Sequence, residues 1–239
     1  MCSRYSLTSP AEAVRAMFRT VRDHAYPPRY NIAPTQPVAI VRVGADLKRE
    51  LALVRWGLIP GWVKTPDTFA TILNARAETV MEKPSFKGAM RHRRCLVPAD
   101  AFYEWTGKAG AKQPHMISRA NGPGLMAFAG LWEHWQGAEG SEIETMAIVT
   151  VASNGAMRRI HDRMPAILPE AAFDDWLNIR GVRDREVMHL LQPAPDDLLK
   201  IVPIKPAINN ARLEGASLQD PADPAMAAIQ APGQAGTLL

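Results

Sequence analysis

Between residues 38 and 152 the chain is a succession of short apolar runs, each of strand length and each closed by turn residues. Runs at 38–43 and 51–58 are separated by Gly44-Ala45-Asp46 and a charged stretch, and read as a hairpin. Further runs lie at 95–97, 101–105, 116–119, 125–132 and 146–152, punctuated by glycine-rich turns at 107–110, 121–123 and 137–140. Strands that follow strands, without a β-α-β rhythm, exclude a doubly wound parallel sheet. They predict an α+β fold: a single mixed domain with a curved, mostly antiparallel, barrel-like sheet flanked by helices.

The helices are fewer. Ser9-Pro10-Ala11-Glu12 has the form of a capping box with proline at the first helical position. Val14, Met17, Phe18 and Val21 follow at i, i+3, i+4 and i+7, predicting a helix to about His24, before Pro27-Pro28. Later helices are predicted at 169–178, with Phe173, Trp176 and Leu177 on one face, and at 183–191. A short strand near 201–204 follows. From residue 214 the chain turns to Ala, Gly, Pro and Gln, too poor in large apolar groups to bury itself. The domain is therefore expected to span 1–213, with 214–239 as a flexible tail.

Composition narrows the chemistry. Only Cys2 and Cys95 are present, too few for a disulfide scaffold or a cysteine-rich zinc site. The six histidines lack metal spacing, so no metal or other cofactor is expected. Cys95, in an apolar run, reads as a core residue. No stretch approaches the roughly 18 apolar residues of a membrane span. Arg4, Glu12, Arg15 and Arg19 interrupt any apolar leader, which predicts a cytoplasmic, non-membrane protein. The net charge of +4 leans mildly toward a polyanionic partner.

Position 2 carries the most reactive pattern. Removal of Met1 would leave Cys2 with a free α-amine and a thiol on one residue. Their reference pKa values are about 7.7–8.0 and about 8.5, so part of the amine is neutral near pH 7. Such a 1,2-aminothiol condenses with an aldehyde to an imine and then a thiazolidine ring; alternatively the thiol serves as an acyl-transfer nucleophile. Three polar residues sit within apolar strand ends or beside breakers. Asn74 follows Ile72-Leu73, and a buried Asn must satisfy both its carbonyl and its amide. Glu104 lies between aromatics, where alternation puts it with Phe102 on one face and Tyr103 with Trp105 on the other. Burial would raise its pKa toward the range of a general acid or base. His161, beside Asp162, is a candidate proton shuttle. Trp56 and Trp62 flank a Gly/Pro turn. The Arg91-His92-Arg93-Arg94 run and the Arg158, Arg159, Arg163 group supply cations of the kind that single-stranded nucleic acid binding combines with aromatic rings. For most charge runs, however, a solvated charged face is the explanation.

Six segments in order carry a resemblance: Met1-Cys2-x-Arg4, Tyr30-Asn31-Ile32-Ala33-Pro34, Trp56-Gly57-Leu58-Ile59-Pro60-Gly61-Trp62, Asn74-Ala75-Arg76-Ala77-Glu78, Phe102-Tyr103-Glu104-Trp105 and Ile160-His161-Asp162-Arg163-Met164-Pro165. Together they resemble the SOS response-associated peptidase family of abasic-site processing proteins. The resemblance implies covalent capture of abasic sites in single-stranded DNA by the mature terminal cysteine, through a thiazolidine. It implies Cys2 as nucleophile, with Asn74, Glu104 and His161 as polar partners. Arg4 and Arg76 would hold phosphates, with Arg163 a further DNA contact, and Pro34, Trp62 and Trp105 would form the apolar surface around unstacked DNA. A monomer is expected. Ser3 departs from the glycine of many relatives. Two other readings use the same residues: an N-terminal-nucleophile cysteine peptidase or amidohydrolase, including self-removal of Met1, and a non-enzymatic single-stranded DNA binding module.

Overall fold

The computed structural model describes residues 2–21, 25–108 and 110–223. Among them, in chain order, lie β1 (Tyr5–Leu7), α1 (Ala11–Phe18), β2 (Arg29–Ile32), β3 (Pro37–Val43), β4 (Arg49–Trp56) and β5 (Asn74–Arg76). Then come α2 (Pro84–His92), β6 (Arg94–Ala99), β7 (Ala101–Thr106), β8 (Gln113–Arg119) and β9 (Met126–Gln136). Finally come β10 (Glu142–Ala152), β11 (Arg163–Pro165), α3 (Phe173–Leu177) and β12 (Leu199–Pro203). Single turns of 3-10 helix join several of them.

The strands form two sheets. One is antiparallel throughout, in the order β12-β8-β7-β1-β2. The other runs β11-β10-β4-β3-β6-β9, and β9 pairs back with β10 from Ile148↔Gly130 to Glu142↔Gln136, closing a five-strand ring. Among the described residues, only β10–β4 and β10–β5 are parallel. The predicted α+β architecture with a curved, mostly antiparallel sheet is what the chain adopts.

The sheets meet through aromatics. Tyr5 of the first sheet packs edge-on against Trp56 and Phe128 of the second, with ring centroids 5.3 and 6.3 Å apart, and Phe102 meets Phe128 at 5.8 Å. Within the second sheet, Gly130 in β9 leaves room for the side chains of its neighbour β6: a Cβ there would lie 2.8 Å from Cys95 Sγ and 2.9 Å from Val97 Cγ2. Cys95 is a core residue, as expected.

Several elements differ from expectation. The capping box does not form. Ser9 gives its hydroxyl to Asp100 Oδ1 (2.6 Å), and Pro10 occupies the cap position with no side-chain bond. Helix α1 ends at Arg19, whose left-handed conformation (φ 55°) closes the last turn. Val21 is then exposed, while Val14 and Phe18 are buried as the periodicity predicted; residues 22–24 lie outside the described residues. The segment Asp184–Leu190 is a 3-10 helix. Helix α2 was not anticipated; it starts on Pro84 and buries Phe86, Ala89 and Met90.

The basic run 91–94, which ends in the first residue of β6, is structural at its buried end, while Arg91 and His92 are exposed. Arg94 is 1% exposed and donates to the carbonyls of Met90, Trp176, Asn178 and Val182. Burial lowers its pKa to about 10. Arg93 pairs with Glu133 and Arg91 with Asp184. The chain also stays packed beyond residue 213. Glu214 binds Arg29 Nε and the Tyr30 amide (both 2.9 Å), Leu218 is buried with Tyr103, Ile204 and Ile208, and Ile204 bridges to Pro221. Ordered packing thus continues to residue 223. Residues 224–239 of the expected tail lie outside the described residues.

Candidate active site and nucleic-acid surface

The four residues singled out for chemistry come from four segments, and the sheet pairings explain how they meet. Pairing of β1 with β7 (Tyr5↔Phe102), supported by the Tyr103 amide donating to the Arg4 carbonyl (3.0 Å), carries Cys2 alongside Glu104. Strands β5 and β11 both pair with the end of β10: Thr150 has Arg76 as partner in β5 and Pro165 in β11. This brings Asn74 and the turn bearing His161 to the same end of the molecule.

Cys2 is fully buried, and its thiol points at the Arg4 carbonyl (Sγ to O, 3.8 Å). Burial, reinforced by the charge of Glu104, pushes the thiol well above its ordinary range. Asn74 Nδ2 donates to the Cys2 carbonyl at 2.9 Å, while its Oδ1 is buried with no hydrogen-bond partner. Glu104 is 4% exposed; burial raises its carboxyl pKa, and the neighbouring His161 works in the opposite direction. As alternation predicted, Phe102 joins the main core whereas Tyr103 and Trp105 pack in the second cluster.

His161 Nδ1 lies 2.9 Å from the Arg163 amide and 2.8 Å from Asp162 Oδ1. One nitrogen cannot accept from the first and donate to the second in the same tautomer. The amide belongs to β11, whereas the Asp162 side chain is 86% exposed, so the amide holds the nitrogen more rigidly. That assigns the neutral ring's proton to Nε2.

The surrounding cations and rings fall into distinct environments. Arg4 is half-buried, with Nη1 donating to Asn31 Oδ1 (2.6 Å) and the Ile208 carbonyl (3.0 Å). Its guanidinium carbon lies 5.8 Å from the centre of the Trp105 ring, and Trp105 Nε1 is fixed on Asn209 Oδ1 at 2.6 Å. Burial lowers the Arg4 pKa. Beside it opens a hollow of about 510 Å³ lined by Ser3, Arg4, Trp105, Lys112, Pro206 and Asn209, with no acid in its wall. The Arg76 side chain is exposed and makes no hydrogen bond or close ion pair among the described residues, although its charge helps to lower the pKa of Glu78. Arg163 differs: its side chain is 12% exposed, forks onto Glu78 (2.6 and 2.9 Å) and also donates to the Thr150 carbonyl (2.6 Å). It braces β11 against the segment after β5. Trp62 is 60% exposed over Phe69, while Trp56 is buried with its Nε1 on the Leu73 carbonyl, so the two tryptophans of one motif serve opposite purposes. Pro34 is half-buried beside Thr35, whose positive φ of 69° turns the chain and whose amide binds the Trp56 carbonyl (2.8 Å).

The family described as "SOS response associated peptidase (SRAP)" matches residues 1–211. This chain belongs to the SRAP family. It is 36% identical over 216 residues to abasic site processing protein YoqW of Bacillus subtilis (strain 168), covering 89% of this chain and 96% of that protein. It is 34% identical over 223 residues to abasic site processing protein HMCES of Gallus gallus, covering 80% of this chain and 66% of that protein. Among solved structures, a protein from Bacteroides thetaiotaomicron superposes with a TM-score of 0.76 at 28% identity, covering 85% of this chain and 92% of that one. One from Bordetella bronchiseptica gives 0.74 at 29%, covering 85% and 100%.

Three residues of this SRAP site had no role assigned from sequence. Asn31 and Glu78 lie inside motifs that carried the resemblance, yet their partners, Arg4 and Arg163, are 27 and 85 positions away. His115 is directly opposite Glu104 in the β7–β8 register; its Nδ1 is buried without a hydrogen-bond partner, and burial lowers its pKa. Only strand alternation combined with the β7–β8 register would have found it. No group of three or more His, Cys, Asp or Glu suited to a metal occurs among the described residues, and no helix there is long and apolar enough to cross a membrane.

Proposed function

We propose that this protein processes abasic sites in DNA by forming a covalent bond through Cys2 once Met1 has been removed. The observation that carries this reading is the setting of residue 2: its carbonyl is fixed by Asn74 Nδ2, and its buried thiol sits beside the buried carboxyl of Glu104. The names of the relatives supply the substrate class, and the exposed Arg76 and Trp62 are a cation and a ring of the kinds that single-stranded DNA binding uses.

The chemistry starts at nitrogen. A thiol held protonated by burial is a poor first nucleophile, whereas the neutral α-amine attacks the C1′ aldehyde of the ring-opened sugar directly. The carbinolamine loses water to give an imine. The sulfur then adds to C1′ and its proton passes to nitrogen, closing the thiazolidine; the balance is protein plus aldehyde going to adduct plus one water. Glu104, whose proton is retained to higher pH by burial, gives a proton to the departing hydroxyl and takes one back from the amine. His161 serves sugar ring opening, and Arg4 and Arg76 hold the flanking phosphates. Positioning of this kind is worth effective molarities of about 10⁵–10⁸ M, more than the about 10²–10⁴-fold of an acid–base group.

The test is intact-protein mass after incubation with a single-stranded oligonucleotide containing one abasic site. The product should weigh the Met1-free protein plus the oligonucleotide minus one water, and Cys2→Ala should give none. A stable adduct in Cys2→Ala, or one on protein that keeps Met1, would overturn the reading. The peptidase alternative makes a different prediction, cleavage of peptide amides with no mass gain from abasic DNA.

A further inference from the structure

Arg4 is held in an unusual way for a half-buried cation. Both hydrogens of Nη1 are spent, one on the side-chain oxygen Oδ1 of Asn31 (2.6 Å) and one on the Ile208 backbone carbonyl (3.0 Å), and neither acceptor carries charge. Nε is buried without a partner, and no carboxylate among the described residues pairs with the side chain. A guanidinium moved out of water without a counter-anion is destabilising. The acid-free hollow beside it leaves Nη2, the one guanidinium nitrogen neither bonded nor buried, for an anion from outside.

Asn31 explains why the geometry survives. It is fully buried, and every group of its amide is engaged: Oδ1 accepts from Arg4, and Nδ2 donates to the Asn210 (3.0 Å) and Leu213 (2.9 Å) carbonyls. The same strap, residues 206–214, fixes Trp105 through Asn209 and is pinned at its end by Glu214 on Arg29 and the Tyr30 amide. Asparagine offers the acceptor that orients Arg4 while leaving its charge uncompensated. Aspartate in the same place would form an ion pair and use that charge up.

We propose that Asn31 is the positioning residue for Arg4, and that with the strap 206–214 it presents the guanidinium, oriented but unneutralised, to a phosphate flanking the lesion. This rests on the reading of Arg4 as a phosphate contact, and the experiment separates the two. Equilibrium binding of full-length Arg4→Ala, Asn31→Asp, Asn31→Ala and the double variant Arg4→Ala/Asn31→Asp is measured on abasic single-stranded DNA across 50–200 mM salt, along with the rate of adduct formation. One phosphate contact to a single strand contributes about 0.7 to the slope of log affinity against log salt, a factor of about 2.6 over that range. Arg4→Ala should lose that much slope. Asn31→Asp should lose the same amount although Arg4 is still present, and the double variant should lose no more. Asn31→Ala, which frees the side chain but leaves its charge available, should keep the slope and slow adduct formation by about 10–100-fold. In Arg4→Ala/Asn31→Ala, measured alongside, that loss should not multiply with that of Arg4→Ala.

A wild-type slope in Asn31→Asp overturns the proposal, as does a wild-type rate in Asn31→Ala. Should Asn31→Asp not fold, the Asn31→Ala rate and its non-additivity with Arg4→Ala decide alone. An unchanged slope in Arg4→Ala itself would instead remove Arg4 from the phosphate contacts, a failure of the functional reading.

Discussion

Arg76 and Arg163 lie on opposite sides of the end of β10, and the structure predicts opposite consequences for their removal. Arg76 is exposed and unpaired, so Arg76→Ala should cost under about 0.5 kcal/mol of stability. Binding a phosphate there releases a counterion. Its loss should flatten the salt slope by about 0.7, or about 2.6-fold in affinity between 50 and 200 mM salt. Arg163 already has its anion. Its three short bonds, two to Glu78 and one to the Thr150 carbonyl, hold β11 and hence the turn that carries His161. Glu78 is 53% exposed, so solvent weakens the pair, and Arg163→Ala should cost about 1–2 kcal/mol. For a domain of this size that is a fall in Tm of about 2–8 °C. The sequence placed Arg163 among the DNA contacts; its ion pair with Glu78 supports a bracing role instead, and on that reading its salt slope should match wild type. The assays are fluorescence anisotropy on a single-stranded abasic oligonucleotide at four salt concentrations and thermal unfolding of each variant. If Arg163→Ala flattens the slope as Arg76→Ala does while Tm stays put, the reasoning is refuted, because Arg163 must then leave Glu78 for a phosphate.

Three other outcomes follow. Burial keeps Glu104 protonated to higher pH in the folded chain than in the unfolded one, so wild type loses stability as pH rises from about 4.3 through the raised value. Glu104→Gln should therefore match wild-type Tm near pH 4 and exceed it at pH 8, while slowing adduct formation by about 10²–10⁴-fold; a Tm difference that ignores pH counts against this. Trp62→Ala, at a 60% exposed ring, should leave Tm within about 2 °C and weaken single-strand binding by about 1–3 kcal/mol; unchanged affinity would exclude it as a stacking platform. Arg94→Met strips four backbone carbonyls of a buried donor and should cost at least the about 1–3 kcal/mol of one unsatisfied buried acceptor; a near-wild-type Tm would mean that water replaces the guanidinium.

What was legible in the chain was whatever depends on neighbours in sequence. Strand alternation put Phe102 and Glu104 on one face and Tyr103 and Trp105 on the other, and the structure keeps that division. The runs of the β3–β4 hairpin and of β6 to β10 were placed within a few residues of their observed ends. The capping box failed although its pattern was present, because the Ser9 hydroxyl is taken by Asp100, a residue 91 positions away.

Residue types and their order determined the family, the general fold and the polar cluster around Cys2. Tertiary structure alone decided which of several identical side chains remain available: Arg94 buried among carbonyls, Arg163 spent on Glu78, Arg4 oriented by a neutral amide, Arg76 unpaired. A charge acts through the partner that reaches it in space. For Arg4 those partners come from positions 27 and 204 residues distant, brought there by sheet register and by a strap that no local pattern encodes.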